Sequence, residues 1–255
     1  MLINELQAMY VMWLRQMKRF LRFKSRIFMT IVQPLFFLFI LGSGFRNISF
    51  PGMQSENFIY FFAPGIVAMS IMFSSMFTGV SVMWDKEFGF LQEVLVAPIS
   101  RMSIILGRTL GGATTALIQG LIILSIVIGM GIPIAGPVGL AFTLIFMIFI
   151  AFTAVGFGLI LASKMRDVQS FPLIMNIVVM PLLLVSSAFF PLKNLPPIAT
   201  NLALLNPLFY MVDGLRGSMI GTDNMFPPIL DLTALIIICI AMLSLGSYFF
   251  SKSEA

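Results

Sequence analysis

Five long stretches uninterrupted by a Pro-Pro pair lack a single Asp, Glu, Lys or Arg: 27–45, 57–84, 109–163, 168–192 and 232–251. A helix needs roughly 20 apolar residues to cross the hydrocarbon of a bilayer, and lipid offers no partner for an unpaired backbone group. Four of the stretches fit one helix each. The stretch 109–163 is long enough for two, and its middle reads GMGIPIAGP, where Gly131, Pro133, Gly136 and Pro137 supply a turn. The pattern predicts an all-α polytopic membrane domain over 27–251, with six transmembrane helices at about 27–45, 58–83, 109–131, 138–162, 169–190 and 229–250. Composition agrees: 10% of the residues are charged, against about 25% in an ordinary soluble domain.

Six spans place both termini on the same side. With the termini and the loops 84–108 and 163–168 in the cytoplasm, 12 of the 15 Lys and Arg lie inside, and Arg46, Lys193 and Arg216 lie outside. The positive-inside rule therefore puts both termini in the cytoplasm. The net charge of +5 follows these boundaries rather than one face of a soluble fold, which excludes nucleic acid as a partner. There is no histidine, and the one cysteine, Cys239, lies in an apolar run, so no metal site or disulfide framework is expected.

Residues 1–26 are read as an N-terminal cytoplasmic helix lying on the membrane. Leu6, Met9, Tyr10, Trp13, Met17 and Phe20 recur at helical spacing, and Arg15, Lys18, Arg19, Arg22, Lys24 and Arg26 supply bases for lipid phosphates. The stretch 191–228 is too broken by Pro191, Pro196, Pro197 and Pro207 to span and too apolar for a free loop. It predicts short helices at the outer leaflet, with Asp213 and Arg216 paired on an exposed face. Within the spans, Gly107 and Gly111 form G-x-x-x-G, and Gly156 and Gly158 are a second small pair; both suit close packing inside the subunit or a dimer contact. Gln33, Gln119 and Asn176 are polar within spans and are expected to bond neighbouring helices, with substrate contact the lesser reading. The 27 Phe and 20 Met suit either lipid packing or an adaptable hydrophobic path.

The segment WDKEFGFLQEVLVAPISR, 84–101, interrupts this pattern. Trp84, Phe88, Leu91 and Leu95 fall on one helical face, Asp85, Lys86 and Glu93 lie away from it, and Pro98 ends it. The expectation is a cytoplasmic helix of about three turns. Its acids suit a basic protein surface better than anionic headgroups.

Here the residues resemble a family. DKEFGFLQEVLVAPISR is similar to the segment after the second span of the membrane subunits of ABC-2-type ATP-binding-cassette exporters. SSAFFPLKNLPP (186–197) resembles that family's end of span five, and LNPLFYMVDGLRG (205–217) its Asn-Pro-Leu-x-Tyr block before span six. Asp85 stands where the family pattern more often has Glu. The drug- and antibiotic-resistance type of these subunits is the nearest in look.

The resemblance implies a permease dimer, of this chain or with a related one, in the inner or plasma membrane of a prokaryote, working with two copies of a separate ATPase subunit that binds ATP and Mg. This chain would hold no cofactor. It implies ATPase coupling through Asp85, Lys86, Glu87, Gly89, Glu93, Pro98 and Arg101, and an outer-leaflet motif at Asn206, Pro207, Tyr210, Asp213 and Arg216. The sequence agrees in one respect: no Gly-Lys pair occurs, so a phosphate-binding P-loop is absent. The implied cargo is a hydrophobic or amphipathic drug, antibiotic or lipid, with a lipid-linked glycan as an alternative. A secondary transporter is a further alternative, although such proteins usually carry ionisable groups at midmembrane and the charge-free stretches hold none. No set of residues for an intramembrane enzyme assembles.

Overall fold

The computed structural model describes residues 2–45, 58–90, 99–165, 167–192 and 196–253. Among these residues it contains nine helices and no strand: α1 (Leu2–Arg22), α2 (Lys24–Gly44), α3 (Phe58–Glu87), α4 (Arg101–Gly129), α5 (Gly136–Lys164), α6 (Ser170–Leu184), α7 (Pro197–Leu204), α8 (Pro207–Met219) and α9 (Pro228–Ser253). Four of them, α3, α4, α5 and the stretch Pro228–Lys252 of α9, are long and apolar enough to cross a membrane. Two shorter apolar helices, Thr30–Gly44 and α6, occupy the first and fifth expected spans.

Local chemistry sets the boundaries. The helix that carries the third expected span starts at Arg101, where extended Ser100 caps it: the Ser100 hydroxyl accepts the Ser103 N–H at 3.2 Å. Pro137 sits in the first turn of α5, where its missing N–H leaves nothing unpaired. The fifth expected span ends at Leu184 rather than 190. Beyond it, Ser187 adopts a left-handed conformation (φ 63°), and residues 185–192 turn back onto α3. Phe189 then meets Phe62, ring centroids 5.7 Å apart.

The core is built around α3, which is buried or half-buried on every face from Phe58 to Met83 and packs against α2, α4, α5 and α8. Where α3 crosses α5 the two backbones touch. A side chain on Gly79 would strike the Gly158 carbonyl, and one on Gly158 would lie 2.9 Å from the Met76 carbonyl oxygen. Small residues permit this approach, which is how helices gain packing energy in lipid. By contrast, α6 presents Leu173, Ile177 and Leu184 outward, and α2 presents Phe28, Phe36 and Phe39.

Candidate functional site: two buried charge clusters

The N-terminal helix is docked on the bundle. Gly107 and Gly111 of α4 form the seat, since a β-carbon on Gly107 would lie 2.7 Å from Met12 Cβ and from the Met9 carbonyl, and one on Gly111 2.7 Å from Gln16 Cβ. Trp13 Nε1 donates to Thr114 Oγ1 at 3.1 Å. At the other end, the Glu5 carboxylate accepts the Ser100 N–H at 3.0 Å and the hydroxyls of Ser100 and Ser103. An anion at a helix start is favourable. The Ser103 and Ser100 hydrogen bonds hold the Glu5 carboxyl below its ordinary value. Thus Met9, Trp13 and Gln16 face protein rather than lipid, while Leu6 and Tyr10 remain exposed.

This docking delivers two bases to Asp85. Arg15 makes a bidentate pair with the Asp85 carboxylate, both contacts 2.7 Å, and Arg19 Nη2 lies 2.9 Å from Oδ1. Arg108 of α4 approaches from the other side at 3.0 Å. Arg19 also bonds the Ser81 hydroxyl, and the Arg15 guanidinium lies 3.6 Å from the centre of the Phe90 ring. Asp85 is 3% exposed. Three helices, α1, α3 and α4, are therefore tied to one carboxylate. Fork-shaped guanidinium groups suit such shared, charge-assisted bonding better than lysines would.

Two expectations are corrected here. Asp85 was expected on an exposed cytoplasmic face, but it is buried beneath Arg15, Arg19 and Arg108, and those first two bases serve it rather than lipid phosphates. The helix expected to begin at Trp84 does not begin there, because Trp84–Glu87 form the last turn of α3, which breaks at Phe88 and Gly89. Gly89 has φ +74° with open space around it, so the backbone turn, and not a close approach within the chain, explains the glycine. Lys86 and Glu87 are exposed at this end. Arg101 reaches across to the Ser251 carbonyl of α9 at 3.1 Å. Glu93 and Pro98 lie outside the described residues.

The second cluster lies at the other end of the bundle. Asn206 caps α8, accepting the Leu208 N–H at 3.0 Å and donating to the Leu182 carbonyl at 2.6 Å; Pro207 occupies the first turn. Tyr210 donates to the Leu204 carbonyl at 2.8 Å. Asp213 and Arg216 were expected on an exposed face and are instead almost wholly buried, 1% and 0% exposed. Arg216 bonds the Phe61 carbonyl at 3.1 Å, Ser187 Oγ at 3.0 Å and the Ser187 carbonyl at 2.6 Å, and its guanidinium stacks 3.8 Å from the Phe61 ring centre. Asp213 accepts the N–H groups of Met225 and Phe226. The ion pair between them is long, 3.9 Å, because each serves other segments first. Asp231, fully buried at the start of α9, packs against Gly214, and nothing in the sequence pattern singles it out.

Comparison with known proteins places this geometry in context. The chain matches the family described as ABC-2 type transporter over residues 7–220. It is 30% identical over 190 residues to a putative transport permease, ycf38, of Cyanophora paradoxa, covering 73% of this chain but 65% of that relative, a little under two thirds of its length. It is 25% identical over 242 residues to the inner membrane transport permease YadH of Escherichia coli K12, covering 92% and 91% of the two chains. A probable multidrug ABC transporter permease, YbhR, of the same organism is 30% identical over 159 residues, 62% of this chain and 43% of that one.

Proposed function

Because this chain belongs to the ABC-2 type transporter family, we propose that it is the membrane-spanning subunit of an ATP-driven exporter whose energy comes from a separate ATPase subunit. The family match over residues 7–220 carries this reading, and the lack of any Gly-Lys pair supports the division of labour. ATP and Mg belong to the partner. Both termini face the cytoplasm, by the distribution of bases. The proposed cargo is a hydrophobic or amphipathic molecule, drug-like or lipid-like, moved out of the cytoplasm or inner leaflet; the name of the relative YbhR favours the drug-like class.

Coupling is proposed to run through the Asp85 cluster. A partner pressing on the segment after Gly89, with Lys86 and Glu87 at its rim, moves the end of α3. Asp85 transfers that movement to α1 through Arg15 and Arg19 and to α4 through Arg108. Rigid helices joined in this way move as bodies rather than bending locally. Two copies of this chain, or one with a relative, pair through the outward apolar faces of α2 and α6. The test is ATP turnover and export in vesicles with and without the ATPase subunit. ATP hydrolysis by the purified chain alone, or export driven by an ion gradient without the ATPase, sinks the reading.

A further inference from the structure

At the Arg216 end of the bundle two acids meet. Gly214 of α8 leaves a niche for Asp231, since a β-carbon on Gly214 would lie 2.8 Å from Asp231 Cβ and would strike the Phe146 ring of α5. Asp231 is completely buried there, and its carboxyl group lies within hydrogen-bonding reach of that of Asp213. The two are served unequally. Asp213 accepts the Met225 N–H at 2.8 Å and the Phe226 N–H at 3.0 Å, and has Arg216 Nη1 at 3.9 Å. Neither oxygen of Asp231 receives an N–H or O–H from a described residue.

Two carboxylates in contact offer each other only lone pairs, and like charges this close cannot both persist away from water. The surroundings supply nothing to offset the second anion. Among the described residues, the charged groups beside the pair are Arg216 on α8 and Asp223 in the turn after it, and Asp223 draws on the same guanidinium. Tyr210 of α8 is turned to the Leu204 carbonyl, and Tyr60 of α3 lies against α2. From α5 the pair meets Phe146; the one charged residue of α5, Lys164, lies at the far end beside Phe249. Arg101 and Arg108 of α4 are at that far end too, α6 and α7 carry no ionisable residue, and Cys239 lies two turns further along α9. One proton between the carboxyl groups removes the conflict. It turns the contact into a charge-assisted O–H···O bond and gives Asp231 the partner it lacks.

We propose that Asp213 and Asp231 form a proton-binding site that holds one proton at neutral pH and so clasps α8 to the start of α9. Opening the clasp hydrates both acids and releases the proton. Closure is therefore strongest in acid and weakens as pH rises, by up to about tenfold per pH unit for one proton released. Once the pair itself ionises, the dependence ends and two anions repel across the α8–α9 contact. The site lies within one subunit and uses neither the ATPase nor the cargo, so its failure leaves the proposed function standing.

Infrared spectra of the full chain in lipid nanodiscs detect a protonated carboxyl by its C=O stretch, which moves on exchange into heavy water. The wild type is expected to show this band at neutral pH, where exposed acids are ionised and contribute none, and Asp231→Asn to lack it. In Asp213→Asn the like charge is gone, so the band is expected to titrate away at lower pH. If Asp231→Asn fails to fold, the wild-type band and its shift in Asp213→Asn carry the test. A second measurement reads the clasp itself. Met219, at the end of α8, is fully buried, so the maleimide labelling rate of Met219→Cys reports opening. Dividing it at each pH by the rate of the same cysteine in Asp231→Asn cancels the ionisation of the thiol. The ratio is expected to rise roughly tenfold per pH unit over the range in which the band persists. A wild type without the band at neutral pH, a band that survives Asp231→Asn, or a ratio that is flat with pH overturns the proposal.

Discussion

Replacing Asp85 with Asn keeps the shape of the side chain and removes the charge that three guanidinium groups share. Their situations differ. The side chains of Arg15 and Arg19 are 29% and 23% exposed and can turn toward water, whereas that of Arg108 is 5% exposed and cannot. Removing one member of a buried ion pair destabilises by about 3–5 kcal/mol, and only the Arg108 share escapes screening by solvent. That share ties α3 to α4 rather than to α1, whereas the partly exposed Arg15 and Arg19 pairs hold α1 by about 1–2 kcal/mol after screening, so its undocked population rises roughly tenfold. Thiol labelling can read this cleanly, because the one native cysteine, Cys239, is buried. A cysteine placed at Met12, which is 5% exposed and packed on Gly107, reports the undocked state. With fast opening and closing, its labelling rate by a water-soluble maleimide tracks that population. Asp85→Asn is expected to speed it by that factor, and Asp85→Glu to restore most of the protection. An unchanged labelling rate in Asp85→Asn would refute the claim that the carboxylate holds α1.

The other expectations use the same packing. Gly107→Leu should undock α1 as fully as the Asp85 change, since its side chain meets the Met9 backbone; Met12→Cys labelling measures this too. Gly79→Leu forces apart the α3–α5 crossing and should abolish accumulation of folded chain, seen as loss of a monodisperse peak in size exclusion. Arg216→Lys should fail to rescue Arg216→Met, because a lysine cannot serve Phe61 and Ser187 together; both should lower thermal stability by about 3–5 kcal/mol, read by calorimetry. Because hydrogen bonding lowers the carboxyl of Glu5 in the folded protein, its contribution is present above the ordinary value of 4.5 and is lost as pH falls through the lowered one. Glu5→Gln should thus remove a pH dependence of α1 docking confined to acid below 4.5, measured by hydrogen exchange across α1.

The helices were legible because lipid imposes a long-wavelength rule: charges are excluded over a span, and their absence marks it. The G-x-x-x-G at Gly107 and Gly111 was also readable as close packing inside the subunit, though not that its partner is α1. Asp85 was misjudged for a definite reason. A charge beside an apolar run was taken as part of a separate surface helix, whereas α3 continues to Glu87, with nothing before Gly89 to stop it. The signal that would have found the cluster was the spacing of Arg15 and Arg19, one helical turn apart, on the same helix as the residues that Gly107 and Gly111 receive. Asp213 and Arg216 were read as a pair on an exposed face from their spacing of three, but Arg216 is buried against Ser187 and Phe61, 29 and 155 residues distant, which leave no local trace.

The Arg216 contacts also fix an order of assembly. During synthesis Phe61 emerges 155 residues and Ser187 29 residues before the arginine that joins them, so this end of the bundle stays unclasped until most of the chain has been made. Asp85, by contrast, has all three partners, Arg15, Arg19 and Arg108, once the start of α4 that seats α1 has been made. Closure therefore proceeds from the Asp85 end of the bundle to the Arg216 end. A chain interrupted between α6 and α8 would carry a finished Asp85 lock and an open Arg216 end, which is the form that quality-control proteases would meet.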